Sequence, residues 1–377
     1  MVTEIHEGLE GVVAASTRLS LVDGAAGRLI LAGYAVEEIA PQASFEEMAH
    51  LFWAGRLPNV QELETLTSTL ASRRRLPSAT LVLMREAAKH GTPVMDALRM
   101  AVSTLSMGRA ENPEEHAWTL VAAFPAIIGG YWRLRNGQDP LEVREDLSHA
   151  EHFLHQIFEG EISPERRRGL ETYLNTVCDH GFNASTFTAR VIASTRSDLV
   201  SAITGAVCAL KGPLHGGAPG PALELVFEIG EPDRAEVVIL AKLQRGERLM
   251  GFGHRVYKVR DPRANVLGAA AERFYATEGD REFYRLALSV EKTALRLLAQ
   301  EKPGRPLKTN VEFYTALLLH GLGLPPELFT PAFAAARVLG WSAHCLEQLR
   351  EGRLIRPESV YNGPTGLRFE PLSQRAN

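Results

Sequence analysis

Apolar side chains recur at three- and four-residue spacing over Phe45 to Trp53, Ala117 to Trp132, Phe283 to Leu298 and Phe333 to Leu349. Each stretch therefore carries one apolar face at helical period, and the pattern predicts a mostly all-α chain. A strand-like pattern occurs only near the N-terminus. There Leu19-Ser20-Leu21-Val22 and Leu29-Ile30-Leu31 flank a loop containing Asp23-Gly24, so a small hairpin is expected. Glycine and proline cluster at 211–221, 230–232, 251–262 and 302–309, which breaks the middle and late chain into shorter helices. These loops are where chemistry is expected.

A chain of 377 residues exceeds the ~250–300 at which single cores tend to split, so two domains are expected. The net charge of −4 supplies no basic field for a nucleic-acid backbone. Cys178, Cys208 and Cys345 are too scattered for a disulfide framework or a zinc site and read as small buried apolar residues. The N-terminal MVTEIHEGLEG lacks an apolar signal core, and no apolar run approaches the ~20 residues that span a bilayer. A cytoplasmic location with no membrane contact is the expectation.

Four segments could carry chemistry. Lys211-Gly-Pro-Leu-His215-Gly-Gly-Ala-Pro219-Gly-Pro221 places a histidine in a glycine-rich loop before a helix expected to start near Pro221 or Ala222. An imidazole near a helix N-terminus favours its neutral form and could donate to an enolate oxygen; the same pattern also fits a turn with an incidental histidine. Gly251 to Arg263 packs His254 and four cations around two glycines, a composition that suits a bound anion as well as a solvated loop. Asp179 to Arg190 is rich in side-chain donors. Thr309-Asn310-Val311-Glu312 sets a carboxylate at the start of an apolar helix, where it could complement the dipole or act as a base.

Arg337 lies inside the apolar stretch Phe333 to Leu349 and needs a partner, since an unpaired buried charge is costly. His149, His152 and His155 recur every third residue. On a helix that spacing splays the first from the last, so packing is favoured over a metal site.

The strings GPLHGG, GFGHRVYK with DPRA, NASTFTAR and R-x-x-GW-x-AH together resemble the citrate synthase family, nearly end to end. The resemblance implies a large helical domain (1–217 and 325–377), which forms the dimer, and a smaller one (218–324), with the active site in the cleft between them. His215 would hydrogen-bond an acyl-CoA thioester oxygen, Glu312 would remove the acyl α-proton, and His254 would activate the ketone of oxaloacetate. His180, Arg263, Arg337 and Arg356 would hold the oxaloacetate carboxylates, Arg356 from across the interface of a homodimer. Lys258, Lys302 and Lys308 are candidates for the CoA phosphates. No metal or further cofactor is implied, and the activity would be condensation of acetyl-CoA with oxaloacetate to citrate in the tricarboxylic acid cycle. The alternatives are 2-methylcitrate synthesis from propionyl-CoA, or a non-catalytic relative that binds dicarboxylate or CoA.

Two features depart from the family pattern. Glu312 stands where aspartate is usual, which lengthens the arm by about 1.5 Å of bond. Ala218-Pro219-Gly220 replaces the usual A-N-E after His215. The length leaves no room for the extra N-terminal β domain of hexameric members, so a dimer is expected.

Overall fold

The structure is a computed structural model that describes residues 5–107, 112–216, 219–254, 256–305 and 307–375. A three-stranded antiparallel sheet opens the fold: β1 (Ser20–Asp23) pairs with β2 (Arg28–Leu31), and β2 with β3 (Tyr34–Ala35). The expected hairpin is present, and β3 is an addition to it. Its turn is Ala32-Gly33, with φ of +45° and +100°, the left-handed pair that a two-residue hairpin turn uses.

Helices make up nearly all the rest: α1 (Val36–Ile39), α2 (Phe45–Ala54), α3 (Val60–Ser72), α4 (Ser78–Lys89), α5 (Val94–Ser103), α6 (Pro113–Arg135), α7 (His149–Ile157) and α8 (Pro164–Val177). They are followed by α9 (Ala184–Ser194), α10 (Leu199–Leu210), α11 (Pro219–Ile229), α12 (Ala235–Gln244), α13 (Pro262–Thr277), α14 (Arg281–Glu301), α15 (Val311–Gly321) and α16 (Phe329–Glu351). Reciprocal capping boxes start α2 (Ser44/Glu47), α3 (Asn59/Glu62), α6 (Asn112/Glu115) and α7 (Ser148/Glu151), satisfying first-turn N–H groups that the helix itself cannot. Helix α11 begins at Pro219, two or three residues earlier than expected, a position where proline is compatible with a first turn.

Helix α16 is the central post. It is buried along most of its length and packs against α2, α5, α6, α8, α9 and α10. Gly340 permits its closest approach: a Cβ there would lie 2.3 Å from the carbonyl oxygen of Cys178. That contact brings Arg337, one helical turn earlier, beside the turn that follows α8. Helices α11 to α15 pack mainly among themselves, α13 against α15 and α14, α11 against α15, and α12 against α14, while α13 also abuts α8. Cys178 and Cys345 are buried as expected; Cys208 is not, since its position on α10 faces outward. Among the described residues no helix is long and apolar enough to cross a membrane.

Candidate active site

The turn between α8 and α9 carries His180. Asp179, fully buried, accepts from Ser20 Oγ at 2.5 Å and from the Gly181 N–H at 3.1 Å, and Gly181 takes the left-handed conformation that lets the chain reverse (φ +59°). His180 Nε2 lies 3.0 Å from the Tyr257 hydroxyl, and its ring meets that of His254 edge-on at 5.8 Å. Burial, then the charges of Arg263 and Arg337, hold its pKa well below the ordinary value, so the imidazole is neutral.

His254 comes from a loop zipped to the segment before α15. Phe252 and Thr309 form a β-bridge, Gly253 N–H donates to Lys308 O at 2.7 Å, and Asn310 N–H donates to Gly251 O at 3.0 Å. Asn310 Nδ2 adds a bond to Gly253 O at 2.7 Å. His254 Nδ1 accepts from two backbone N–H groups, Val256 at 3.0 Å and Tyr257 at 3.1 Å. A neutral ring bound in that way carries its proton on Nε2. Arg263 Nη2 sits 3.2 Å from that nitrogen. Both are donors, so the pair is shaped to converge on an anionic or carbonyl oxygen. Burial, then Arg263, lowers the His254 pKa to about 4.

Asp261 organises the other side. Its carboxylate accepts from Arg263 Nε (3.0 Å), Arg263 Nη2 (2.8 Å), the Arg263 N–H (3.0 Å) and the Val311 N–H (3.2 Å). One buried carboxylate thus aligns the guanidinium and the first turn of α15. Glu312 occupies that turn, with its N–H capped by Asn310 Oδ1 at 3.0 Å. Burial raises the Glu312 pKa to about 7; Asp261 adds to the rise, and Arg263 and Asn310 oppose it.

His215 is held by Ser185, near the start of α9. Its Nε2 lies 3.3 Å from the Ser185 N–H and 2.7 Å from Ser185 Oγ, which also accepts from the buried Trp341 Nε1 at 3.1 Å. The backbone N–H can only donate, so Nε2 is the acceptor and the ring proton sits on Nδ1. The sequence ascribes the neutral form to a helix N-terminus. The structure gives burial first and the charge of Arg337 second, which lower the pKa to about 4.

Arg337 is 1% exposed, lies 4.5 Å over the Phe333 ring and donates from Nε to Val177 O at 2.9 Å. Burial, relieved by Asp179 and reinforced by Arg263, brings its pKa down to about 10. Its charge is felt at both His180 and His215. His180, His215, His254, Arg263, Arg337 and Glu312 are therefore linked by contact or by mutual charge.

Arg356 does not join them within one chain. It is exposed, on the segment after α16, and the neighbouring Ile355 N–H donates to Ser194 at the far end of α9 from Ser185. Lys302 and Lys308 line, with Arg305, a cavity of about 180 Å³, whereas Lys258 is exposed on the His254 loop. The histidines of α7 form no metal group among the described residues: His149 stacks on Phe45 at 4.2 Å, and His155 Nε2 contacts Glu142 O at 3.2 Å.

Sequence reasoning gave no role to Ser185, Asp261, Asn310 or Tyr257. Two of these carry a local signal, since Asn310 and Asp261 both stand at helix N-caps. Ser185 and Tyr257 are recognisable only through partners distant in the chain.

The family model for the citrate synthase C-terminal domain matches residues 8–358. Citrate synthase 2 of Bacillus subtilis is 41% identical, covering 98% of this chain and 99% of that protein. The 2-methylcitrate synthase of Shewanella oneidensis is 36% identical, covering 98% and 97%. Among solved structures, the citrate synthase of Pyrobaculum aerophilum superposes with a TM-score of 0.89 at 38% identity, covering 98% of this chain and 95% of that one. The citrate synthase of Thermoplasma acidophilum, solved in a ternary complex with carboxymethyl coenzyme A and oxaloacetate, gives 0.87 at 32% identity, covering 99% and 100%. Similarity that runs the length of the chain and extends to its architecture makes this protein a member of the citrate synthase family and a citrate synthase-like acyltransferase.

Proposed function

We propose that the residues of this site divide the condensation of acetyl-CoA with oxaloacetate as follows. His180, Arg263 and Arg337, with Arg356 of a second copy, hold the two carboxylates. The Nε2–H of His254 polarises the ketone. The Nδ1–H of His215 donates to the thioester oxygen while Glu312 takes a proton from the acyl methyl, and the resulting enol carbon bonds to the ketone carbon as His254 supplies a proton to the new hydroxyl. Water then cleaves the citryl thioester, releasing citrate and CoA.

The observation that carries the reading is the pair of fixed tautomers: backbone N–H groups occupy His215 Nε2 and His254 Nδ1, which leaves each ring one proton on its other nitrogen. Such preorganised donors act where charge develops. A carboxylic acid with a pKa near 7 is better matched to a carbon acid than an ordinary glutamate is. Lys302, Arg305 and Lys308 around their cavity suit the CoA phosphates, and the exposed Lys258 of the His254 loop is a further candidate.

The working form in this reading is a cytoplasmic homodimer serving the tricarboxylic acid cycle, needing no cofactor beyond its substrates. Residues 218–324 close on a large domain of 1–217 and 325–377. The exposed apolar side chains Leu354, Tyr361, Leu367 and Phe369 support a C-terminal arm that packs on a second copy. Use of propionyl-CoA is the second reading, favoured by the 2-methylcitrate synthase among the relatives.

Thiol release with acetyl-CoA and with propionyl-CoA at matched oxaloacetate tests the assignment. Acetyl-CoA is expected to be preferred, and Glu312→Gln is expected to lower kcat by about 10³-fold, within the range of general base catalysis. A preference of more than about tenfold for propionyl-CoA would transfer the assignment to 2-methylcitrate synthesis, since one methylene can supply that much. Binding of oxaloacetate with no thiol release from either thioester would leave only a binding protein.

A further inference from the structure

Strand β1 and the turn after it touch both loops that carry oxaloacetate-facing histidines. Ser20 accepts from the Gly181 N–H at 3.0 Å and donates to Asp179 at 2.5 Å, so it holds the residues on either side of His180. Four positions on, Gly24 O accepts the N–H of Lys258 at 2.9 Å. There is no room beside it: a Cβ at Gly24 would lie 2.3 Å from the Val256 oxygen and 2.8 Å from the Val256 carbonyl carbon, both backbone atoms that cannot swing away. Gly27 approaches the same loop, where a Cβ would meet Val259 Cγ2 at 2.5 Å. Asp23 keeps the turn in shape, its Oδ1 accepting from Ala25 N–H at 3.1 Å and Ala26 N–H at 2.9 Å.

Val256 is also the residue whose N–H, with that of Tyr257, binds His254 Nδ1. The loop's backbone therefore faces the hairpin on one side and the imidazole on the other, and a shift imposed at Gly24 reaches the ring within one residue. We infer that Gly24 is a positioning residue of the ketone-activating site: the hairpin turn fixes the backbone of Val256 to Lys258, and that backbone fixes the tautomer and aim of His254. The inference rests on the role given to His254 under the proposed function. A turn that merely covered the loop would affect stability alone.

The test compares full-length wild type, Gly24→Ala and Asp23→Ala. Three quantities are read: thermal unfolding, kcat/KM for oxaloacetate, and the infrared carbonyl stretch of bound oxaloacetate, which reports directly on polarisation by His254. Wild type is expected to lower the stretch relative to free oxaloacetate. Gly24→Ala is expected to return it toward the free value and to lower kcat/KM about a hundredfold, the scale of a displacement near 1 Å. Asp23→Ala loosens the turn without adding bulk and should move both quantities in the same direction by less, so it decides the matter if Gly24→Ala does not fold. A folded variant that keeps the wild-type stretch and a kcat/KM within about twofold would overturn the inference, because a displaced catalytic group costs far more. Wild type that binds oxaloacetate without shifting the stretch would overturn the role of His254 first, and this inference with it.

Discussion

Asp261 and Val311, fifty residues apart, are joined by a buried hydrogen bond of 3.2 Å that ties the alignment of Arg263 to the helix bearing Glu312. The same carboxylate faces Glu312 closely enough to raise its pKa. Removing the charge with Asp261→Asn therefore favours the ionised form of Glu312, and the less compensated Arg263 pushes in the same direction. The acid limb of kcat/KM against pH, expected near 7 in wild type, should move to lower pH while KM for oxaloacetate rises. An acid limb that stays in place would separate Asp261 from Glu312.

Ser185 supports His215 through two atoms, and Ser185→Ala removes only the hydroxyl. The backbone N–H still fixes the tautomer, so kcat should fall by about tenfold, or about 1.4 kcal/mol, with KM little changed. The buried Trp341 Nε1 loses its acceptor, which costs about 1–3 kcal/mol of stability. Steady-state kinetics and denaturant unfolding read the two effects separately.

Arg337 presents a guanidinium whose Nε is held by Val177 O and whose face lies on Phe333. A lysine ammonium is a point charge without the planar fork that makes both contacts and still faces a carboxylate, so Arg337→Lys should bind oxaloacetate more weakly than wild type and more tightly than Arg337→Met. Truncating one partner of a buried charge pair costs about 2–5 kcal/mol, the loss expected for the methionine variant in a calorimetric titration. Equal affinity of all three proteins would remove Arg337 from the carboxylate site.

His149 and His152 are buried, and among the described residues neither ring nitrogen of either has a hydrogen-bond partner. Burial, then Arg74, holds the His149 pKa well below its ordinary value and brings His152 to about 3. Between that depressed range and the unfolded value near 6.5 the unfolded chain binds more protons, so these groups remove stability as pH falls below about 6.5. Glu46, whose carboxylate binds the His149 N–H and is raised by burial, works in the opposite sense. His149→Phe and His152→Leu should each flatten the decline of Tm between about pH 6.5 and pH 4, each removing up to about 1.4 kcal/mol per pH unit. An unchanged slope in both would place the acid sensitivity elsewhere.

Helix α16 illustrates how far local pattern reaches. Its apolar period predicts Phe333 to Leu349, and the observed helix, Phe329–Glu351, extends that by about one turn at its N-terminal end. Strand β3 escaped because its turn is Ala32-Gly33, which lacks the asparagine or aspartate that usually marks such a hairpin. The exposure of Cys208 escaped because an apolar residue on a largely apolar helix gives no sign of which face it takes.

The sequence by itself determined the helices, the hairpin and the kinds of side chain available for chemistry, because helical period, capping residues and turn glycines act over a few neighbouring positions. Only the tertiary structure decided which proton each imidazole carries and which carboxylate is held near neutrality. Those properties depend on a backbone N–H at Ser185 reaching His215 across thirty residues, and on burial shared by α13 and α15, and no local pattern records either.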